Sequence, residues 1–526
     1  MPVTTSYPGL YIEELPSAAH SITPAPTSIT VFVGYTHPFV GQCAERGDWG
    51  KATQIFSFED YKRLFGDRYR SRIPSDVADA VYQFFVNGGS NAYVVALQPQ
   101  FHTAGGVLPV QRAQDNLAGI TFTAKQLTDA AHPLSITVRN IQASDPSVAD
   151  LVISYGSDVK RYAKVKTMTG DPALITDAKF IANQLAGSEL VSVAPETGGM
   201  YRATWGVPAP TPTTTLSLEL GDTHQAGTVI TPDEFLKVFD EDQPLDKVEI
   251  FNLLVLPGMT DNGVWAAALA YCERKRAFFI MDPPVNASAD DTAPLGYTKI
   301  QDFLDTIPHA SPNGALYFPY LKTVDSLSRK IREEPPSGYV AGIYAKTDMR
   351  RGVWKAPAGL ETSLLNTTGV VDTGVMTDMR QGTVNDKGIN VLRSFPGSGT
   401  VVWGARTVVG LNAALEQWRY VPVRRTALFI EQTLLRNLGW VVFEPNDEPL
   451  WVAIRVSVQN FMLSLFRQQA FQGKTPNEAF QVLCDKTTTT QDDIDQGRVN
   501  IVVGFRPLKP AEFVIIKIAQ LAGQAP

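Results

Sequence analysis

Between Ile250 and Asp282 the chain carries an apolar run, a stretch of helix length and a second apolar run. They are Ile250-Phe-Asn-Leu-Leu-Val-Leu-Pro257, then Trp265 to Arg276, then Ala277-Phe-Phe-Ile-Met-Asp282. The connection is long enough for a crossover between parallel strands of one sheet, so this is a βαβ unit. Residues nearer the N-terminus have the same cast. Ser28-Ile-Thr-Val-Phe-Val-Gly-Tyr35 reads as a strand apolar on both faces. Ser57-Phe-Glu-Asp60 announces one helix; a second starts at Ser75, carries Val77, Val81, Phe84 and Phe85 on one face and stops at Gly88-Gly89. Ala92-Tyr-Val-Val-Ala-Leu97 and Gly314-Ala-Leu-Tyr-Phe-Pro319 are further strands. Strands alternating with helices in this way predict α/β architecture.

From about residue 105 to 230 the pattern changes. Short β-like runs, Ile120-Thr-Phe-Thr123, Leu134-Ser-Ile-Thr-Val138, Leu151-Val-Ile-Ser154 and Leu216-Ser-Leu-Glu-Leu220, are separated by turn-rich polar segments, and Pro208 to Thr215 is a linker or exposed loop by composition. Thr231-Pro-Asp-Glu234 then marks a helix start. After about residue 395 two amphipathic helices dominate. The first has Pro422 at its start and runs to about Leu438; the second places Trp451, Ile454, Val458, Phe461, Met462, Leu465 and Phe466 on one face before Gly473. Two strands close the chain, Val499 to Phe505 and Glu512 to Ile518. The fold class is therefore α/β plus β. An interrupted α/β domain (28–104 and 231–395) holds a mainly β inserted domain (105–230) and is followed by a C-terminal α+β domain (396–526), with residues 1–27 as an N-terminal arm.

The two ends do not fit a self-contained fold. The final strand is nearly all apolar on both faces and must lie inside a sheet, because exposed it is an aggregation edge. The first 27 residues hold too many prolines and too few core residues to fold alone. Within them Tyr7-Pro-Gly-Leu-Tyr-Ile-Glu-Glu14 ends in a short alternation that suits one strand, and a lone strand is unstable in water. An arm of about 24 extended residues reaches about 80 Å, far enough to pair elsewhere. A frayed terminus is the alternative reading.

Charged residues make up only 19% of the 526 residues, below the roughly 25% of an ordinary globular chain. The net charge of −7 leaves no basic excess for nucleic acid or an anionic membrane. Cys43, Cys272 and Cys484 stand too far apart in sequence for a disulfide framework or a zinc spacing and read as buried thiols of a reducing compartment. The first cation is Arg46, so no secretory signal is expected. Prolines at 16, 24, 26 and 38 break the uncharged stretch Leu15 to Ala44, which is not expected to cross a membrane. Synthesis and folding in the cytoplasm are the expectation.

Catalytic motifs are missing: there is no G-x-S-x-G elbow, no phosphate loop and no H-E-x-x-H pair. The histidines, His20, His37, His102, His132, His224 and His309, show no metal spacing. Arg274-Lys-Arg276 is either an anion patch or a set of cations at the negative end of a helix. Asp492-Asp-Ile-Asp495 lacks the remaining ligands of a calcium loop and reads as a turn. Asp282 ends a parallel strand, where α/β proteins hold ligands, but it has no partner carboxylate nearby in sequence. No metal, no cofactor and no enzymatic activity are expected.

Taken in order, these segments resemble the contractile tail sheath proteins of phages and related contractile injection systems. Tyr7 to Glu14 is similar to that family's P-G-V-Y-V-E-E arm, and Thr30-Val-Phe-Val-Gly-Tyr-Thr36 to its first core strand. The resemblance continues through Leu256-Pro-Gly258, Ala315 to Pro319, Pro335 to Asp348, Arg351 to Pro357, Gly388 to Arg393 and Val402 to Thr407. It ends with Trp418 to Arg425, Phe443 to Asn446, Leu450-Trp451 and Pro510 to Val514; only the β insertion falls outside.

The resemblance implies a structural subunit that polymerises helically around an inner tube and contracts to drive the tube through a target envelope. It implies extended arms exchanged between subunits as added strands: Tyr7, Pro8, Gly9, Leu10, Tyr11, Ile12, Glu13 and Glu14 at one end, Phe513, Val514, Ile515, Ile516 and Ile518 at the other. It also implies a tube-facing position for Arg467, an outermost insertion, and partnership with the tube, baseplate and terminal cap proteins. Assembly is expected in the cytoplasm, for a phage tail or a cytoplasmic or released contractile particle. A non-contracting shell or scaffold, and an α/β hydrolase using Asp282, are the competing readings.

Overall fold

A computed structural model of the chain describes residues 20–69, 76–103, 106–128, 133–156, 158–167, 176–195, 205, 216–220, 232–288, 298–306, 311–326, 329–371, 376–410, 412–513 and 515. It forms two compact units. Of the described residues, one holds those within 28–346 and 357–419; the other gathers 20–27, 347–356 and those from Tyr420 onward.

The first unit is built on a sheet of β1 (Thr30–Tyr35), β2 (Ala52–Ile55), β3 (Ala92–Leu97), β4 (Leu253–Val255), β5 (Phe278–Met281), β6 (Gly314–Phe318), β7 (Ile389–Phe395) and β8 (Gly399–Val402). Their order is β2-β3-β1-β4-β5-β6-β7-β8. From β3 to β7 every pairing is parallel, and β2 and β8 close the two edges antiparallel. β1, β5 and β6 are buried at every position, as strands covered on both faces must be.

Local signals start the helices around this sheet. Ser57 Oγ accepts from Asp60 N at 3.1 Å and opens α1 (Phe58–Phe65). The helix expected from Ser75 is α2 (Val77–Val86), which starts after Asp76. Asp261 accepts from Val264 N at 2.9 Å, so α3 (Asn262–Lys275) begins three residues before the expected Trp265. Trp265 is fully buried, and its Nε1 donates to Met259 O at 2.8 Å.

The division into compact units is drawn differently from the expected domains. The division expected at 396 falls inside the β7–β8 hairpin, and residues 357–419 belong to the sheet-bearing unit. The reason is burial: Val391, Leu392, Val401 and Val402 are core residues of the sheet and cannot leave it. Residues 20–27 group with the C-terminal unit.

Between β3 and β4 lie the insertion strands. One sheet has the order Asp158–Lys166, Val148–Tyr155, Leu134–Arg139, Leu216–Leu220; the other has Val191–Pro195, Ile120–Ala124, Gln114–Leu117. All these pairings are antiparallel. Period-two alternation buries Ile120, Phe122, Leu134, Ile136, Leu151 and Ile153 in a core of their own.

Helix α4, Ser337–Arg351, packs glycine to backbone against α2. A Cβ on Gly338 would stand 2.5 Å from Ala80 O and 2.6 Å from Ala80 Cα; one on Gly342 would stand 2.7 Å from Phe84 O.

The second unit contains α5 (Val421–Asn437), α6 (Glu448–Arg467) and the hairpin of β9 (Phe480–Leu483) and β10 (Val502–Phe505). Asp447 caps α6 through Leu450 N at 3.2 Å. This helix is the one candidate among the described residues that is long and apolar enough to span a bilayer. Its face of Leu450, Trp451, Ile454, Val458, Phe461, Met462 and Leu465 is instead spent on the unit's own core. Of the expected terminal strand, residues 512, 513 and 515 form no strand, and Val514 and residues 516–518 lie outside the described residues.

The close approach of α4 to α2 is open to a direct test. Alanine favours helix by about 1 kcal/mol over glycine, but overpacking against backbone costs about 1–3 kcal/mol or more. Gly338→Ala is therefore expected to destabilise the sheet-bearing unit. Urea unfolding should show a lower midpoint with an unchanged slope.

Candidate assembly site

Asp282 stands at the carboxyl end of β5, the edge where open α/β sheets hold ligands. Its oxygens are already taken. Oδ1 accepts from Ser337 N at 2.8 Å, and Oδ2 accepts from Ser337 Oγ at 2.6 Å and Gly258 N at 3.1 Å. Ser337 is the first residue of α4, so the carboxyl group satisfies an end N–H that the helix cannot pair internally. Burial pushes its pKa up to about 7, against the pull of the Ser337 and Gly258 donors. This geometry is a joint between two strand ends and a helix.

A larger polar cluster has no counterpart among the expected sites. Arg68 Nε donates to buried Asp79 at 2.7 Å, and Arg332 bonds both Asp76 and Asp79. Glu334 accepts from Gln83 Nε2 at 3.1 Å and from Tyr339 OH at 2.9 Å; Asn366 Nδ2 donates to Gln83 Oε1 at 3.2 Å. Burial, then the neighbouring Asp79, pushes the Glu334 carboxyl up. Burial alone would lower the Arg332 pKa, and Asp79 and Asp76 outweigh it. Each buried charge is thus paired, which is the condition for tolerating it. Its members span 68 to 366 with no local spacing, so only the fold assembles them.

The remaining chemical candidates resolve as surface structure. Arg274 bonds Phe239 O, Glu241 and Asp246, and Lys275 pairs with Asp246 at 3.0 Å. Thr490 and Asp493 form a capping box for the short helix Gln491–Asp495. No group of three or more potential metal ligands occurs among the described residues. The three cysteines are free and buried.

The chain ends direct attention to the hairpin. Tyr7, Pro8, Gly9, Leu10, Tyr11, Ile12, Glu13 and Glu14 lie outside the described residues, as do Val514, Ile516 and Ile518. Phe513 and Ile515 are 73% and 81% exposed. Tyr420 OH donates to Glu512 Oε2 at 3.2 Å at the base of this tail. Arg467 ends α6 and is exposed.

In the hairpin, Val482 pairs with Val503 and Phe480 with Phe505, and these four pack on the core of the second unit. Gln481, Val502 and Gly504 are exposed. Among the described residues neither β9 nor β10 has a second partner strand. A two-stranded sheet is an arrangement that gains by accepting a further strand.

A parallel sheet covered on both faces, an antiparallel insertion and a helical unit carrying a two-stranded hairpin make up the described fold. Residues 243–408 match the phage tail sheath protein central domain and residues 414–520 the phage tail sheath C-terminal domain, together just over half of the chain. The chain belongs to the phage tail sheath family. A tail sheath protein of Burkholderia phage BcepMu is 26% identical over 259 residues, 47% of this chain and 52% of that protein. A Pseudomonas aeruginosa protein described as a prophage major tail sheath protein is 25% identical over 266 residues, 49% of this chain and 62% of that one. The matches thus span about half to three fifths of these relatives. The fold resembles the contracted PVC sheath of an extracellular contractile injection system, with a TM-score of 0.58 and 23% identity over 99% of both chains. It also resembles the contracted helical sheath of the anti-feeding prophage, with a TM-score of 0.56 and 24% identity over 98% of this chain and 100% of that one.

His37 gives the sheet-bearing unit a pH response. Its Nδ1 accepts from Phe39 N and Val40 N, both at 3.1 Å, leaving Nε2 to donate to Gln126 Oε1 at 2.9 Å. Burial lowers its pKa to about 4. The unfolded imidazole takes a proton below about 6.5 that the folded one refuses, so stability falls as pH drops from about 6.5 towards 4. The raised pKa of Asp282 acts in the opposite sense over about the same range, so the difference against His37→Gln isolates the histidine. From pH 7 to 4 the wild type should lose up to about 3 kcal/mol relative to that variant in chemical unfolding.

Proposed function

We propose that this chain is the structural subunit of a contractile sheath. It polymerises helically around an inner tube and shortens to drive the tube through a target envelope. The observation that carries this reading is a hairpin, two-stranded among the described residues, on a chain of the sheath family whose two ends carry strand-like sequence. Residues 7–14 and 513–518 supply added strands to neighbouring subunits, where backbone hydrogen bonds hold them and alternate side chains set the register. Because each contact joins unlike surfaces, the assembly does not close on itself and grows as a helical tube. The insertion faces outward, Arg467 faces the tube, and baseplate and cap proteins bound the polymer. Work is stored in subunit packing, so the chain is structural rather than catalytic. Assembly takes place in the cytoplasm, for a phage tail or a released or cell-associated particle.

Electron microscopy of purified assemblies should show two tube forms, one longer and narrower, the other shorter and wider. A single invariant form would leave a static shell. Deleting residues 2–20, or replacing Ile515 and Ile516 by Asp, should give a soluble monomer with unchanged circular dichroism and no tubes. Normal tubes from both variants would remove the strand-exchange role.

A further inference from the structure

The root of the N-terminal arm is held to its own subunit by side chains rather than by secondary structure. Residues 20–27 form neither helix nor strand, yet their backbone is bonded at four places within the second unit. Arg425 Nη2 donates to Thr27 O at 2.9 Å, and Thr433 Oγ1 accepts from Ala25 N at 3.1 Å. Asn437 bonds both sides of Thr23, accepting from its N at 2.9 Å and donating to its O at 2.9 Å. On α6, Ser457 Oγ accepts from His20 N at 2.9 Å, and the His20 ring stacks on Trp440 at 3.9 Å.

These contacts have an order. Arg425, Thr433 and Asn437 lie on one i±4 row of α5, and they meet Thr27, Ala25 and Thr23 in turn, so the segment runs antiparallel to the helix. The row covers about 18 Å of helix, and an extended stretch from 23 to 27 covers about 13 Å, which the long Arg425 side chain completes. Threonine and serine are poor choices for a helix interior, and an arginine in the first turns opposes the helix dipole. Their place in α5 and α6 is explained by the backbone they hold.

Arg425 is itself fixed. It bonds Asp348 with both nitrogens, Nη1 to Oδ1 at 2.9 Å and Nη2 to Oδ2 at 2.6 Å, with both side chains buried. Thr27 is the last residue of this unit before the chain leaves it, Asp348 is the second after the chain re-enters at 347, and Arg425 follows the re-entry at 420. One buried ion pair therefore ties the unit's end of three chain passages together.

We propose that Arg425 and Asp348, with Thr433, Asn437 and Ser457, form a clasp that anchors the N-terminal arm, so that load on a donated arm passes into α5. The load-bearing part rests on the sheath reading above; the clasp does not. Two double variants of the full chain test it. Thr433→Val with Asn437→Leu removes the row, and Arg425→Met with Asp348→Leu removes the ion pair without leaving either charge buried alone.

Amide hydrogen exchange should quicken at least tenfold at residues 20–27 in each variant, with the amides of α6 unchanged. Sheaths of these variants, contracted with mild denaturant and viewed by electron microscopy, should break several-fold more often than wild type. Unchanged protection of 20–27 in both variants overturns the clasp. Lost protection with sheaths that shorten intact overturns its load-bearing role. If the wild type itself forms no tubes, the sheath reading falls and the exchange measurement still decides the clasp.

Discussion

A parallel sheet buried on both faces is the constraint from which the rest of this protein follows. Strands such as Phe278–Met281 and Gly314–Phe318 have no polar face, so both sides must be covered, and connections between parallel neighbours must cross over. The sheet ends in antiparallel strands at both edges, Ala52–Ile55 and Gly399–Val402. At its carboxyl edge the buried Asp282 receives Ser337 and Gly258. The position where related architectures hold a ligand is used here to seat a helix.

Packing around α4 shows what such a scaffold demands. Glycines at 338 and 342 let its backbone meet α2 with no room for a methyl group. Beside this contact, Arg68 and Arg332 meet Asp76, Asp79 and Glu334, and Gln83, Tyr339 and Asn366 supply the remaining hydrogen bonds. Breaking one member would strand a buried charge, at about 3–5 kcal/mol, so the cluster favours one arrangement of helix and strand over its alternatives.

The second unit is built on the opposite principle. Among the described residues its hairpin has two strands, and Phe513 and Ile515 stand in solvent. Such a sheet gains by accepting a strand and such a tail gains by becoming one.

Much of the architecture is legible in the residues alone. Apolar runs and their spacing mark the βαβ unit at 250–282, alternation marks the insertion strands, and 3–4 spacing marks α6. These signals are local, and hydrophobic periodicity is a local record of which face is buried. The family, too, is written in short motifs along the chain. Other features are not local. The Arg332 cluster and the Arg425–Asp348 ion pair join residues tens to hundreds of positions apart, which local spacing does not connect. Asp282 looks like the end of a strand, and its partner Ser337 lies 55 residues on. Elements, layer order and kinship can thus be read from the order of the residues. Which polar groups meet emerges only when the chain is folded, because a buried charge or hydroxyl is defined by partners that no spacing along the chain records.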